Sequence, residues 1–160
     1  MKPVIGIASF LCLLINMIFW SFLLFLVGLV RLIIPFYSWR KLWTTVTVFI
    51  GETCISFNNS WIKILHRPSI EITGMESLKK DHWYIATSNH QSWGDIFVLQ
   101  KITNKKVPLL RFFMKDILKW IPIVSIVGWA LDMPFLKRYS KEQIDKNPRL
   151  RGKDLEQMVK

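Results

Sequence analysis

Residues 3–30, PVIGIASFLCLLINMIFWSFLLFLVGLV, run for 28 positions without a formal charge, between Lys2 and Arg31. A helix that crosses a bilayer needs only about 20 apolar residues. The stretch therefore predicts a membrane-anchoring helix over residues 1–31. At ~1.5 Å per residue it would be ~42 Å long against a hydrocarbon core of ~30 Å, so it must tilt, extend into the headgroups or bend. Asn16, near its middle, marks a place for a bend. A single span and a bent, one-sided hairpin both satisfy the pattern. A cleaved signal peptide has a shorter apolar region, about 7–15 residues, followed by a small-residue cleavage site.

Outward from this run, the 160 residues carry 22 Lys plus Arg against 11 Asp plus Glu, a formal net charge of +11, with 51% hydrophobic residues and mean hydropathy +0.28. That balance excludes a disordered or collagen-like chain and suggests two environments in one protein. Cys12 and Cys54 make no disulfide framework. Behind the apolar run come Arg31, Arg40, Lys41, Lys63 and Arg67, and ahead of it only Lys2 and the amino terminus, so the bulk of the chain is expected on the cytoplasmic side. Residues 32–67 stay aromatic (Trp39, Trp43, Phe49, Phe57, Trp61) but include Glu52 and several Thr and Asn. They read either as an amphipathic interfacial segment or as a helix packed on the soluble part.

From Pro68 the texture changes to alternating strand and helix. Residues 70–74 and 83–87 read as strands, 107–114 as a third, and 129–131 as another. Ser92, with Asp95 three positions on, opens a helix that continues to Asn104. A short helix over 115–120 is stopped by Ile121-Pro122, and a polar helix begins at Lys153. The expected class is α/β: an N-terminal membrane helix, then a partial αβ domain over 68–160 with a largely parallel sheet.

The chemistry concentrates in NHQSWGD, residues 89–95. His90 at the end of a strand and Asp95 in the first turn of the next helix can converge across the connecting turn. An Asp that accepts the imidazole Nδ1 proton fixes the tautomer and leaves Nε2 to take a proton from a hydroxyl. Each residue also has an ordinary role: Asp95 complements a helix N-terminus, His90 is a turn histidine, Asn89 an Asx-turn residue. Ser88 and Ser92 form no G-x-S-x-G elbow, and His66, His82 and His90 lack the spacing of a metal site.

NHQSWGD resembles the first motif, Asn-His-x-x-x-x-Asp, of the glycerolipid acyltransferases, the group containing the 1-acyl-sn-glycerol-3-phosphate (lysophosphatidic acid) acyltransferases. Residues 115–138, KDILKWIPIVSIVGWALDMPFLKR, are similar to the family's second block, with Lys115, Pro122, Gly128, Phe135 and Arg138 in its places. The form looks closest to the bacterial inner-membrane branch. The resemblance implies transfer of an acyl group from acyl-CoA or acyl carrier protein to the free hydroxyl of a lysophospholipid, with His90 as general base and Asp95 as its orienter. It further implies Arg138 on the acceptor phosphate, Lys137 adding positive potential and Asn89 beside the substrate, with no metal and no cofactor beyond the acyl donor. The family's third block, Glu-Gly-Thr-Arg, does not occur in these residues, so the resemblance also implies a domain truncated before that block.

Two other classes fit the charge. Residues 61–160 hold 18 Lys plus Arg and 10 Asp plus Glu, which suits a non-catalytic, membrane-anchored basic module on anionic lipid. Nucleic-acid binding is not expected, because the cations are scattered and no recognition motif accompanies them.

Overall fold

The computed structural model describes residues 2–89 and 91–156. The chain divides into two compact units, Met1–Leu110 and Arg111–Lys160.

In the first unit, α1 (Lys2–Ile33) and α2 (Tyr37–His66) form a helical hairpin. Pro35 cannot supply a backbone N–H and biases Ile34 away from helical conformation, so α1 ends and the chain turns over residues 34–36. The pairing is antiparallel. Trp39 Nε1 donates to the Val30 carbonyl near the turn (3.0 Å), Asn16 meets Asn58 midway, and Ser9 Oγ lies 2.7 Å from His66 Nε2 at the open end. Beyond His66, Arg67 adopts a left-handed conformation (φ 45°) that closes α2 before Pro68.

Asn16 does not interrupt α1, which is helical throughout Lys2–Ile33. Its amide instead crosses to the partner helix: Nδ2 donates to Asn58 Oδ1 (2.8 Å) and to the Cys54 carbonyl (3.3 Å), while Oδ1 accepts from Trp20 Nε1 (2.8 Å). With its polar atoms satisfied inside the hairpin, the residue has no reason to break the ladder.

The hairpin is inverted relative to a water-soluble helix pair. Asn16, Ser21, Thr47, Glu52 and Asn58 are buried between the helices and their neighbours, whereas Phe10 and Ile15 are 65% and 66% exposed. Within Pro3–Ile33 the mean hydropathy of an 18-residue stretch reaches 2.6, and this helix is long and apolar enough to cross a membrane. Polar atoms inside and hydrocarbon outside is the arrangement that lipid, not water, favours.

Two links tie α2 to the rest of the first unit. Lys80 Nζ sits 2.8 Å from Glu52 Oε1 and donates to Oε2 at 2.9 Å. Asn104 Nδ2 donates to Ser56 Oγ (2.9 Å), one turn further along the same face. Asn104 caps α3 (Trp93–Thr103), the helix expected from the Ser92 signal.

The sheet is much smaller than expected. Among the described residues, only β1 (Met114–Lys115) and β2 (Phe135–Leu136) pair, parallel, with Met114 opposite Phe135 and Lys115 opposite Leu136. Residues 70–74 and 83–87 form no strand: a strand exists only where a ladder satisfies its backbone, and Trp83 and Ile85 stand 93% and 97% exposed. Of 107–114 only Met114 is strand. Residues 129–131 close a helix instead, with Leu131 N–H bonded to the Val127 carbonyl (3.0 Å) and Asp132 left-handed (φ 53°).

The second unit is a minimal βαβ arrangement. After β1 a 3-10 turn (Asp116–Trp120) leads to α4 (Pro122–Ala130), where Pro122 occupies the first helical position. After β2 come α5 (Lys141–Lys146), opened by a reciprocal Ser140–Gln143 cap, and the single turn α6 (Lys153–Glu156), which begins where expected. Among the described residues of this unit, Ala130, Leu131 and Leu136 are the buried hydrophobic ones.

Gly128 on α4 lies directly against the sheet. A Cβ there would stand 2.6 Å from Phe135 Cζ and 2.8 Å from Cε2, and would also meet the end of Met114. The Met114 terminus can swing away, but the Phe135 ring is held in the β2 register. Gly128→Ala is therefore expected to destabilise the chain by about 1–3 kcal/mol through overpacking, read as a lowered thermal midpoint in detergent. A midpoint equal to that of the unaltered chain would show that the ring yields freely.

Candidate active site

Asp95 enters α3 in its first turn and is built into the turn before it. Its Oδ2 accepts the backbone N–H of Gln91 (2.6 Å) and of Ser92 (2.8 Å), and its Oδ1 lies 3.3 Å from Ser92 Oγ. Ser92 and Asp95 thus cap α3 reciprocally. The negative carboxylate also faces the positive end of the helix. The result is a half-buried carboxylate whose direction is set by two backbone donors rather than by its own rotamer preference.

His90, the expected base, lies outside the described residues. Asn89 is exposed in the irregular segment that precedes α3. Asn89 and Asp95 belong to the first unit, whereas Lys137 and Arg138 follow β2 in the second. Lys137 Nζ stands 5.7 Å from the centre of the Tyr139 ring, a cation–π distance. Arg138 is exposed, with its guanidinium in no ion pair among the described residues.

The second-block residues have distinct structural work. Lys115 and Leu136 pair across the parallel sheet, Gly128 admits Phe135, Pro122 starts α4, and Arg138 is carried two residues past the last strand position. Gly128 and Phe135 meet because only a residue without Cβ lets helix and strand approach this closely.

Sequence reasoning did not find the Glu52 face. Glu52 is 6% exposed and, with Gln100, Asn104 and Pro108, lines a cleft with room for about one water molecule. Asn104 Oδ1 is buried there without a hydrogen-bond partner among the described residues. The signal available was the single carboxylate of α2, which needs a partner wherever it is buried. The cleft is too small for a lipid. No group of His, Cys, Asp and Glu that could hold a metal ion occurs among the described residues.

The Asp95 clamp predicts a local effect. Asp95→Ala removes acceptors from the Gln91 and Ser92 amides and should speed their hydrogen exchange by about fivefold, as expected for loss of a cap contributing ~1 kcal/mol. Asp95→Asn, which keeps one carbonyl oxygen, should exchange more slowly than Asp95→Ala. Equal protection in all three chains would refute the clamp.

Among curated proteins none matches this chain, and no solved structure matches it. A protein-family model described as Acyltransferase does match, over residues 69–159, a stretch that includes the Asp95 turn, β1, Gly128 and β2. The chain belongs to the acyltransferase family.

Proposed function

We propose that this acyltransferase moves a fatty acyl group from acyl-CoA or acyl carrier protein to the free hydroxyl of a lysophospholipid, lysophosphatidic acid foremost, at the cytoplasmic face of a bacterial inner membrane. The observation that carries the reading is the Asp95 carboxylate, clamped by the Gln91 and Ser92 amides in the turn that follows His90. An acceptor so held is suited to orient an imidazole and stabilise its charge.

His90 takes the proton of the acceptor hydroxyl as that oxygen attacks the thioester carbonyl. A C–O bond forms, the C–S bond breaks as the tetrahedral intermediate collapses, and the imidazolium returns its proton to the departing thiolate. No acyl-enzyme and no metal enter. Arg138 binds the acceptor phosphate, for which a planar fork of donors is suited. Lys137 raises the local potential, and Asn89 contacts substrate beside the base.

The hairpin supports a membrane setting and constrains it. Because α2 runs antiparallel to α1, the chain leaves His66 beside Ser9. Lys2 and the cations after residue 66 then share one side of the membrane, the cytoplasmic one by the positive-inside tendency. Glu52 is fourteen residues, about 21 Å, from the end of α2. A hairpin crossing a ~30 Å core along its whole length would carry the Glu52–Lys80 pair into hydrocarbon, which the cost of intramembrane charge opposes. A hairpin immersed from one side spares that pair, provided it is inclined or shallow enough to keep Arg31, Arg40 and Lys41, which flank its turn, within reach of the headgroups.

Transfer of labelled acyl groups from acyl-CoA to lysophosphatidic acid, in membranes containing the chain, tests the reading. His90→Ala should lower the rate by about 10²–10⁴, the span of general-base catalysis. Arg138→Ala should raise the acceptor KM more than it lowers kcat. Transfer unchanged by His90→Ala would remove the proposed base, and absence of transfer to every lysophospholipid tried would favour a non-catalytic lipid-surface module.

A further inference from the structure

Residues 111–121, RFFMKDILKWI, present an unusual outer side. In the extended part Arg111, Phe113 and Lys115 point outward while Phe112 and Met114 are partly covered. The 3-10 turn that follows brings Ile117 and Trp120, three residues apart and eclipsed in such a turn, onto one side, with Ile121 next to them. Ile117 is 70% and Trp120 86% exposed. Three cations accompany these apolar side chains. Lys119 is engaged by Asp116 and the Phe135 ring, whereas Arg111 and Lys115 are exposed and in no ion pair among the described residues.

From this geometry we infer that residues 111–121 form a second membrane contact, separate from the α1–α2 hairpin, that seats on anionic lipid. Four apolar side chains over eleven residues are far fewer than the roughly 20–30 residues per side of a stable protein interface. They suit insertion at headgroup depth, where Trp is favoured and where Arg and Lys meet phosphate. Charge complementarity selects the lipid: a chain of net charge +11 that presents Arg111 and Lys115 beside the insertion point is attracted to a negative leaflet. Insertion of Ile117 and Trp120 removes from water apolar surface that nothing else among the described residues of the second unit covers. The inference rests on the hairpin being membrane-bound, and it deepens that reading by assigning a lipid contact to the catalytic part of the chain.

The test uses the full chain with Cys12 and Cys54 replaced by Ala, carrying one fluorescent label at Ile117→Cys, Glu142→Cys or Phe19→Cys. Each is placed in phosphatidylcholine vesicles with and without phosphatidylglycerol. With phosphatidylglycerol, the label at 117 should be quenched by nitroxides near the lipid headgroups and shielded from aqueous iodide, while the label at 142 should be quenched by iodide. Arg111→Gln and Lys115→Gln should each reduce the bound-to-free ratio of the segment by about fivefold, the equivalent of ~1 kcal/mol per cation. Iodide quenching at 117 equal to that at 142 overturns the proposal. So does shielding from both quenchers, which would mean a protein cover, and so does lipid quenching indifferent to phosphatidylglycerol. Lipid quenching absent at 19 as well would overturn hairpin anchoring itself, whereas its absence at 117 alone overturns only this contact.

Discussion

The Asn16 amide, shared between Asn58 and Trp20, pins the register of α1 against α2 at the middle of the hairpin. Apolar faces slide past each other at little cost, but an amide buried between them has partners at one register only. From that register the rest of the first unit is placed. It determines which side of α2 carries Glu52 and Ser56 away from α1, and these two residues receive Lys80 and Asn104. Asn104 ends α3, so the helix whose other end holds Asp95 is moored to α2 through its C-cap. A polar contact between helices thus reaches the candidate catalytic turn through one helix, one hydroxyl and one short helix more.

What the sequence made legible follows from how local each signal is. The start of α3 depends on Ser92 and Asp95, three residues apart, and the end on Asn104, so a short window contains the whole argument. The apolar run of α1 is equally local. Strands are different, because the apolar, aromatic run at 83–87 states only that a strand there could be buried, while formation depends on a neighbour elsewhere in the chain. Here the pairing is confined to Met114–Lys115 and Phe135–Leu136. Asn16 was misread for the same reason: a polar residue in an apolar helix is a local defect unless a second helix is known to supply Asn58.

The candidate site divides along the same line. Asp95 as an N-terminal helix cap could be read from spacing, and its orienting contacts at 2.6 and 2.8 Å come from backbone amides that any sequence would provide there. Gly128 could be recognised as a motif residue but not explained. Its reason is a helix-to-strand approach in which a Cβ would stand 2.6 Å from an aromatic carbon of Phe135. The cation after β2 is placed by the same packing, since Phe135 under Gly128 fixes the strand from which Arg138 emerges.

The reaction proposed for this chain sets its own demand on the fold. A lysophospholipid offers its free hydroxyl at headgroup depth, where both hydrocarbon and water are within a few ångströms, and a base must reach it without itself being buried in lipid. Lys80 held against Glu52 at the middle of α2 keeps the loops that lead to α3 alongside the hairpin rather than above it. Exposed Trp120 and Ile117 beside Arg111 and Lys115 give the second unit a means of meeting the same surface. A shallow lipid contact in a chain that is already anchored acts more strongly than it would alone, because the anchor raises its effective concentration at the surface. A single deep anchor fixes only distance from the bilayer; a second point of contact restricts rotation about the anchor, and orientation is what a hydroxyl, a base and a phosphate-binding cation must share.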